Sequence, residues 1–319
     1  MGVRFSLPAP AIDTAMAEKQ KTRILVIVGP TASGKSDLAV QMAKKYNGEI
    51  ISADSRQVYK GLDIGTGKIT AAEMQGIPHH LLDVADPHSR FTAMDWKKLA
   101  EAAIADIVSR GKLPIICGGT GFYISALIDD LGFPDVEADT EEQKELEART
   151  AEDLFEELKR LDPKRAATID LKNKRRLARA ILIARELGSV PEVRKPAEPK
   201  YDVIMIGIKI PGSELRERIR ARLAKRLHDG MLKEAERLHA PAPTGIGLSY
   251  ERMEELGLEY RYMAEYLQMK MTLDDMTRAL NAKIWQYSKR QMTWWKKDAR
   301  IKWVTPEELK SGMDVLGLA

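Results

Sequence analysis

A chain of 319 residues with 44% hydrophobic and 31% charged residues is globular in composition, long enough for one large or two ordinary domains around a substantial core. Its formal charge of +4 is too small to mark the whole chain as a nucleic-acid binder, so any such partner must meet local patches. A single cysteine, Cys117, excludes an internal disulfide framework and fits a reducing compartment, and no run reaches the roughly 20 apolar residues of a membrane span.

Residues 1–21 mix Pro, Ala and charge without the apolar centre of a signal peptide and read as a disordered arm, in which Met16 offers an alternative start to Met1. Ile24 to Val28 is a β-branched run that predicts a strand. It leads into Gly29-Pro30-Thr31-Ala32-Ser33-Gly34-Lys35-Ser36, the pattern GxxxxGK[ST] of a phosphate-binding loop. Glycines at both ends let the backbone curl and aim its N–H groups inward at a helix N-terminus. Lys35 adds a point charge, and the Ser36 hydroxyl suits a Mg²⁺ ligand. The pattern leaves open which phosphate is held. Leu38, Val40, Met42 and Ala43 give Asp37 to Tyr46 helical spacing, stopped by Asn47-Gly48. Glu49 to Ala53 predicts a second strand, ending at Asp54-Ser55-Arg56-Gln57. In such a βαβ unit ligands sit beyond the carboxyl ends of the strands, which brings Asp54 near the phosphates. A carboxylate there needs a cation or a proton-transfer role; the plainer alternative is a cap on the next turn.

Gly61 to Lys68 and Pro78 to Asp83 are loop-rich, and the adjacent His79 and His80 have no further His or Cys at zinc-ligand spacing. Met94 to Ser109 predicts an amphipathic helix ended by Gly111. Leu113 to Cys117 predicts a buried strand in which Cys117 is a packed thiol rather than a nucleophile. That strand runs into Gly118-Gly119-Thr120-Gly121, so Thr120 reaches the same edge as the phosphate loop. An ATPase would carry an acidic residue at this strand end to hold Mg²⁺ through its waters; two glycines stand there instead. From about Pro134 to Pro199 the composition turns to charged helical segments, with twelve Lys or Arg against four Asp or Glu between Lys159 and Lys195. The basic run is either a solvated face or a contact to a phosphate backbone. Tyr201 to Ile210 predicts a strand rejoining the sheet, and Glu214 to Leu238 one long helix with Arg218 and Arg222 a turn apart. These arginines are either paired with glutamates or a clamp for phosphate oxygens. The last third reads as helical. Four of the five tryptophans fall between Trp285 and Trp303 among lysines and arginines, a mixture that suits either a core face or RNA, whose bases stack on rings.

Six of these motifs, in this order, resemble the tRNA dimethylallyltransferases, also called tRNA isopentenyltransferases, from about Thr22 to Trp303. They are the phosphate loop, Ser52 to Tyr59, Ile64 to Lys68, Pro78 to Asp83, Gly118 to Tyr123, and Lys289 to Trp294. The fold expected is α/β, a P-loop NTPase-like parallel sheet flanked by helices. Its first part spans 22–133, an inserted helical tRNA-contacting subdomain 134–199, and a core strand with a helical C-terminal region 200–319. The resemblance implies that residues 29–36 hold the diphosphate of dimethylallyl diphosphate, with Mg²⁺ near Ser36, and that the prenyl group moves to N6 of adenine 37 of tRNA. Asp54 would take the proton from the amine. Lys35 and Arg222, with Arg218 as the neighbour most easily confused with it, would stabilise the leaving diphosphate. Thr120 would stand where the two substrates meet. Asp54, Ser55, Arg56 and Gln57 would touch the flipped base or its neighbours, and Arg175, Arg176, Arg179, Lys289, Arg290, Gln291 and Trp294 would meet tRNA. A cytoplasmic monomer of bacterial or organellar type, without membrane association, is expected.

The sequence departs from the family where Gly67, Lys68 and Ile69 replace Ala then Lys-Pro, and at Ile284-Trp285, where Thr-Arg is usual. Two rivals remain at this point. A P-loop kinase of a nucleotide or other small molecule would use ATP and want an acid near residue 117. A non-catalytic RNA-binding switch would give Asp54 and Thr120 no shared task.

Overall fold

The computed structural model describes residues 21–134, 136–137, 141–192 and 198–310. The arm expected over residues 1–21 therefore lies, but for Lys21, outside the described residues, as do Met1 and Met16. In chain order come β1 (Thr22–Val28), α1 (Lys35–Lys45), β2 (Gly48–Ala53), α2 (Ala71–Met74), β3 (His79–His80), α3 (Ala93–Ser109), β4 (Leu113–Gly118) and α4 (Gly121–Ile128). Four helices follow, α5 (Glu141–Ala148), α6 (Ala151–Leu161), α7 (Pro163–Ala166) and α8 (Lys174–Leu187). The chain then returns through β5 (Tyr201–Ile208) to α9 (Gly212–His228), α10 (Met231–His239), α11 (Tyr250–Glu255), α12 (Leu258–Leu267), α13 (Leu273–Trp295), β6 (Ile301–Val304) and α14 (Pro306–Lys310).

The strands form one parallel sheet in the order β3-β2-β4-β1-β5-β6. Both faces are covered, which explains why the strands read as continuous apolar runs rather than alternating ones. Along β1, Ile24, Val26 and Val28 pack into a core with α3, α4 and the C-terminal helices, while Leu25 and Ile27 pack against α1. Trp96 of α3, fully buried, fixes its helix to β2 by donating Nε1–H to the Ser52 carbonyl at 2.9 Å. Helices α5 to α8 enclose a core of their own that includes Leu146, Leu154, Leu158, Leu177 and Ile181.

Register positions the site. Ile27 is level with Cys117 and Ala53 with Gly118, so β1, β2 and β4 end side by side. The phosphate loop, Asp54 and Gly119-Thr120 leave the sheet at one edge, the crevice where parallel sheets bind ligands.

Three expectations change. The helix expected over Glu214 to Leu238 is two helices, because the chain leaves α9 at Asp229 and passes through Gly230 at φ +103° before α10 begins. The stretch Pro78 to Asp83 contains a two-residue strand against β2, and the helical last third contains β6, which pairs with β5. His80 is bound at 2.8 Å to Glu49. Among the described residues no helix is long and apolar enough to cross a membrane.

Candidate active site

From Val28 the chain curls through left-handed steps at Ala32 (φ +62°) and Gly34 (φ +87°) into α1. Residues 31–37 line a cavity of about 430 Å³. Gly29 and Pro30 shape the turn rather than the wall; the Pro30 carbonyl accepts from Ser33 N and from Lys35 Nζ, each at 3.3 Å. The buried Ser33 hydroxyl has no partner among the described residues. Ser36 is exposed on the cavity wall, and none of the described residues binds its hydroxyl. Cys117 also lines the cavity; it is buried as expected, and burial pushes its thiol up to about 12.

The helix opposite contributes the cations. Arg222 donates Nη1–H to Thr31 Oγ1 at 3.3 Å and Nη2–H to the Gly67 carbonyl at 3.1 Å, whereas Arg218, also on the wall, is paired with Glu214 at 2.6 Å. Sequence reasoning missed Arg226, one turn further. It is 9% exposed and donates to the Gly65 and Thr66 carbonyls, each at 3.2 Å, with Glu259 at 3.4 Å. At Gly67 the backbone is left-handed (φ +61°), which favours glycine, and a Cβ there would have to push aside the guanidinium ends of Arg226 and Arg222. Burial, then the positive charge of Arg226, brings Arg222 down to about 10, and burial likewise lowers Lys35. Buried like charges disfavour their own ionised forms, and an anion among them relieves that penalty. Lys35, Arg218 and Arg222 thus give the cavity a cationic side that suits an anion, with Asp37, Asp54 and Glu73 also on its wall.

A second cavity of about 340 Å³ shares Thr31, Asp54, Thr66 and Tyr287 with the first, and its further lining mixes Ser55 and the cations Arg56, Arg175, Arg226 and Arg290 with the carboxylates of Glu254, Glu255 and Glu259. Asp54 thus borders both. Its Oδ1 accepts from Arg56 N at 2.9 Å and Gln57 N at 3.4 Å, so the capping alternative holds for one oxygen. Oδ2 has no partner among the described residues. Thr120 lines neither cavity; its hydroxyl oxygen accepts from Ser55 N at 3.0 Å and so holds the turn that carries Asp54. Gln57 lines the first cavity and not the second, with Nε2–H donated to the Gly67 carbonyl at 3.2 Å. Tyr287, also missed, stands between the two, its phenol raised by burial and then by Asp54.

The residues expected to meet tRNA divide by their surroundings. Arg176, Lys289 and Arg290 are exposed; Lys289 Nζ lies 5.8 Å from the Trp285 ring centroid and the Arg290 guanidinium 5.7 Å from that of Tyr287. Trp294 is 44% exposed and covers Gly121 at the start of α4, whereas Trp295 beside it is core. Arg175 is engaged with Glu255 and, at 3.6 Å, with Glu147. Two more are engaged within the protein. Arg179 spends its guanidinium on the Glu137 carbonyl and, at 2.6 Å, on that of Val136, so it pins a loop. Gln291 is 6% exposed, accepts Thr31 N–H at 2.8 Å and donates Nε2–H to the Gly119 carbonyl at 3.0 Å; it braces the site from within because both ends of its amide are engaged. The glycines at the end of β4 follow from the same packing. A Cβ at Gly118 would strike the Ala53 carbonyl and one at Gly119 the Gln291 amide, leaving no room for the acid a kinase would place there.

The model of the IPP transferase family matches residues 57–298. The chain is 40% identical over 302 residues to tRNA dimethylallyltransferase 1 of Geotalea uraniireducens, covering 92% of this chain and 97% of that protein. It is similar to the crystal structure of a full-length tRNA isopentenylpyrophosphate transferase from Bacillus halodurans, with a TM-score of 0.65, 37% identity, and 89% and 90% of the two chains covered. A eukaryotic dimethylallyltransferase captured acting on tRNA superposes with a TM-score of 0.74 at 25% identity, over 91% of this chain and 75% of that one. A family match across most of the chain, joined to a phosphate loop that shares its edge of the sheet with Asp54, leads to one conclusion: the chain belongs to the IPP transferase family, that of the tRNA dimethylallyltransferases.

Proposed function

We propose that this protein transfers the dimethylallyl group of dimethylallyl diphosphate to N6 of adenine 37, beside the anticodon of tRNA, releasing diphosphate. The observation that carries this reading is that Asp54 borders two cavities, one walled by the phosphate loop and Arg222, the other by Arg56, Arg175 and Arg290. A small anionic donor suits the first and a flipped base with its backbone the second. The names of the relatives support the same substrates.

In this scheme the adenine amine attacks the allylic carbon, the carbon–oxygen bond to diphosphate breaks, and Asp54 Oδ2 takes the amine proton. Charge gathers on the departing diphosphate. Lys35, Arg222 and the loop amides not already given to Gln291 and Pro30 meet it as donors fixed in place beforehand. Thr120 and the Arg56 and Gln57 amides keep the Asp54 carboxylate oriented through the turn. The chemistry of the donor set fits Mg²⁺: Ser36 offers a hard hydroxyl oxygen, and this ion takes its remaining ligands from phosphate oxygens and water. Bound there, it would neutralise diphosphate charge. Residues 134–199 supply part of the tRNA surface through Arg175 and Arg176. The protein works on the cytoplasmic tRNA pool as a monomer.

The test is tRNA with labelled dimethylallyl diphosphate and Mg²⁺, ATP omitted, reading label on adenine N6. Transfer without ATP is expected. Its absence, with phosphorylation of a small molecule once ATP is added, would overturn the reading in favour of a kinase.

A further inference from the structure

Glu234, on α10, is 5% exposed, and its carboxylate accepts four hydrogen bonds. Three come from consecutive amides, Asp63 N at 2.9 Å, Ile64 N at 2.7 Å and Gly65 N at 2.9 Å, and the fourth from the Tyr260 hydroxyl at 2.7 Å. Successive N–H groups turned onto one point form a nest, an arrangement that ordinarily receives an anionic ligand. Here the protein supplies the anion. Burial, and next the charge of Glu234, raise the Tyr260 phenol well above its usual value, so it remains a donor.

With its amides so held, the same turn lends its carbonyls to the arginines. Gly65 O and Thr66 O accept from Arg226, and Gly67 O accepts from Arg222 and Gln57. Thr66 Oγ1–H closes the turn on the Leu62 carbonyl at 2.7 Å. Arg222 spans this turn and Thr31 of the phosphate loop, so the carboxylate of α10 reaches the first cavity through two hydrogen-bonded steps.

We propose that Glu234 is a positioning residue for the diphosphate cavity: by gathering the 63–65 amides it fixes the turn whose Gly67 carbonyl aims Arg222 at that cavity, while the Gly65 and Thr66 carbonyls hold Arg226 behind it. The proposal rests on the reading of that cavity as the diphosphate site. A guanidinium aimed before its anion arrives binds it without first losing rotamer freedom. Tyr260 serves the same purpose to a lesser degree, as one donor of four.

Glu234→Gln keeps the side-chain volume but turns an NH₂ group onto amide donors, and Tyr260→Phe removes a single hydroxyl and guards against a Glu234 variant that does not fold. Calorimetry with inorganic pyrophosphate and Mg²⁺, steady-state kinetics with dimethylallyl diphosphate, and tRNA binding are measured on both, with circular dichroism as the check on folding. Glu234→Gln should weaken pyrophosphate by about tenfold or more and raise KM for the donor, with the tRNA Kd moving less than about twofold. Tyr260→Phe should move the same quantities less. In an Arg222→Ala background most of the Glu234→Gln effect should vanish, since coupled groups do not add. Wild-type protein that fails to bind pyrophosphate overturns the cavity's assignment and this proposal with it. Wild-type binding that both variants retain, or a Glu234→Gln loss undiminished without Arg222, overturns the proposal alone.

Discussion

The side-chain oxygen of Gln291 accepts the Thr31 N–H at 2.8 Å and ties the long helix α13 to the crest of the phosphate loop. Its amide nitrogen reaches the Gly119 carbonyl beyond β4, so one side chain joins two loops from different strands. Gln291→Ala leaves a half-buried N–H and a buried carbonyl unpaired, which costs about 1–3 kcal/mol. The expected result is a lower Tm and weaker dimethylallyl diphosphate binding, with tRNA affinity within a few fold of wild type. Titration of each substrate separately checks it; a tRNA loss larger than the donor loss would return Gln291 to the RNA face.

Asp54 has two tasks that two substitutions separate. Asn keeps an oxygen for the Arg56 and Gln57 amides but cannot take a proton, and Ala loses both. Single-turnover transfer should fall by roughly 10² to 10⁴ in Asp54→Asn, the usual range for a lost general base, and at least as far in Asp54→Ala. Their tRNA affinities should stay within a few fold of wild type. An unchanged rate in Asp54→Asn would remove the carboxylate from proton transfer.

The phosphate loop and the Asp54 turn are legible in the sequence because each is local: the glycine spacing, the strand before and the helix after lie within one βαβ unit. The buried supports are not. Glu234 meets its amide partner 171 positions away, and nothing near residue 234 distinguishes it from the solvated glutamates of an ordinary helix. The break at Gly230 hides in the same way, since a glycine inside a helical pattern is often tolerated. Arg175, Arg176 and Arg179 read as one basic run, yet helical geometry sends them to an ion-pair cluster, to solvent and to a loop's carbonyls. Spacing names the chemistry of these residues, and the partners that separate them come from other elements.

That separation is measurable by salt dependence. Arg176 is exposed, and its guanidinium has no partner among the described residues, so if it meets a tRNA phosphate Arg176→Ala should make the slope of log K against log salt shallower by about 0.7 to 0.9. Lys289→Ala should do the same. Arg179→Ala should lower stability and leave the slope alone, because its guanidinium is occupied at the Val136 and Glu137 carbonyls. A slope unmoved in both Arg176→Ala and Lys289→Ala would make these faces merely solvated.

At the opposite end of the sheet Glu49, 1% exposed, accepts from Arg110 (2.7 Å to Oε2), Lys112 (2.6 Å) and His80 (2.8 Å). The Arg110 hydrogen bond, foremost, holds its carboxyl far below the usual value of 4.5. A carboxylate depressed in the folded state contributes stability that is fully present above that value and is lost as pH falls towards the folded one. Glu49→Gln should therefore lower Tm at pH 7 by roughly 3 to 8 °C and flatten the fall of Tm on acidification below about pH 4.5. Thermal melts of both proteins across pH 3 to 7 test it. Parallel curves would mean that Glu49 is not the group lost in acid.

Arg218 and Arg222 lie one turn apart on α9, border the same cavity and carry the same charge, but their surroundings predict unequal roles. Arg218 is already paired with Glu214 at the cavity's edge, where a diphosphate oxygen would have to compete with a carboxylate. Among the described residues Arg222 is held by neutral oxygens alone, the Thr31 hydroxyl and the Gly67 carbonyl, which orient the guanidinium without neutralising it. Burial and Arg226 bring it down to about 10, and a diphosphate gathering charge in the transition state relieves that penalty. Arg222→Ala should slow prenyl transfer by roughly 10² to 10³, the effect of removing one preorganised donor from developing charge, whereas Arg218→Ala should slow it less than about tenfold. Arg222→Lys should recover little, because an ammonium cannot span Thr31 and Gly67 as the guanidinium fork does. Single-turnover rates at saturating donor separate this from weaker binding. Equal losses for the two arginines would put the transition-state charge at the cavity's edge beside Glu214, and a larger loss for Arg218 would exchange their roles.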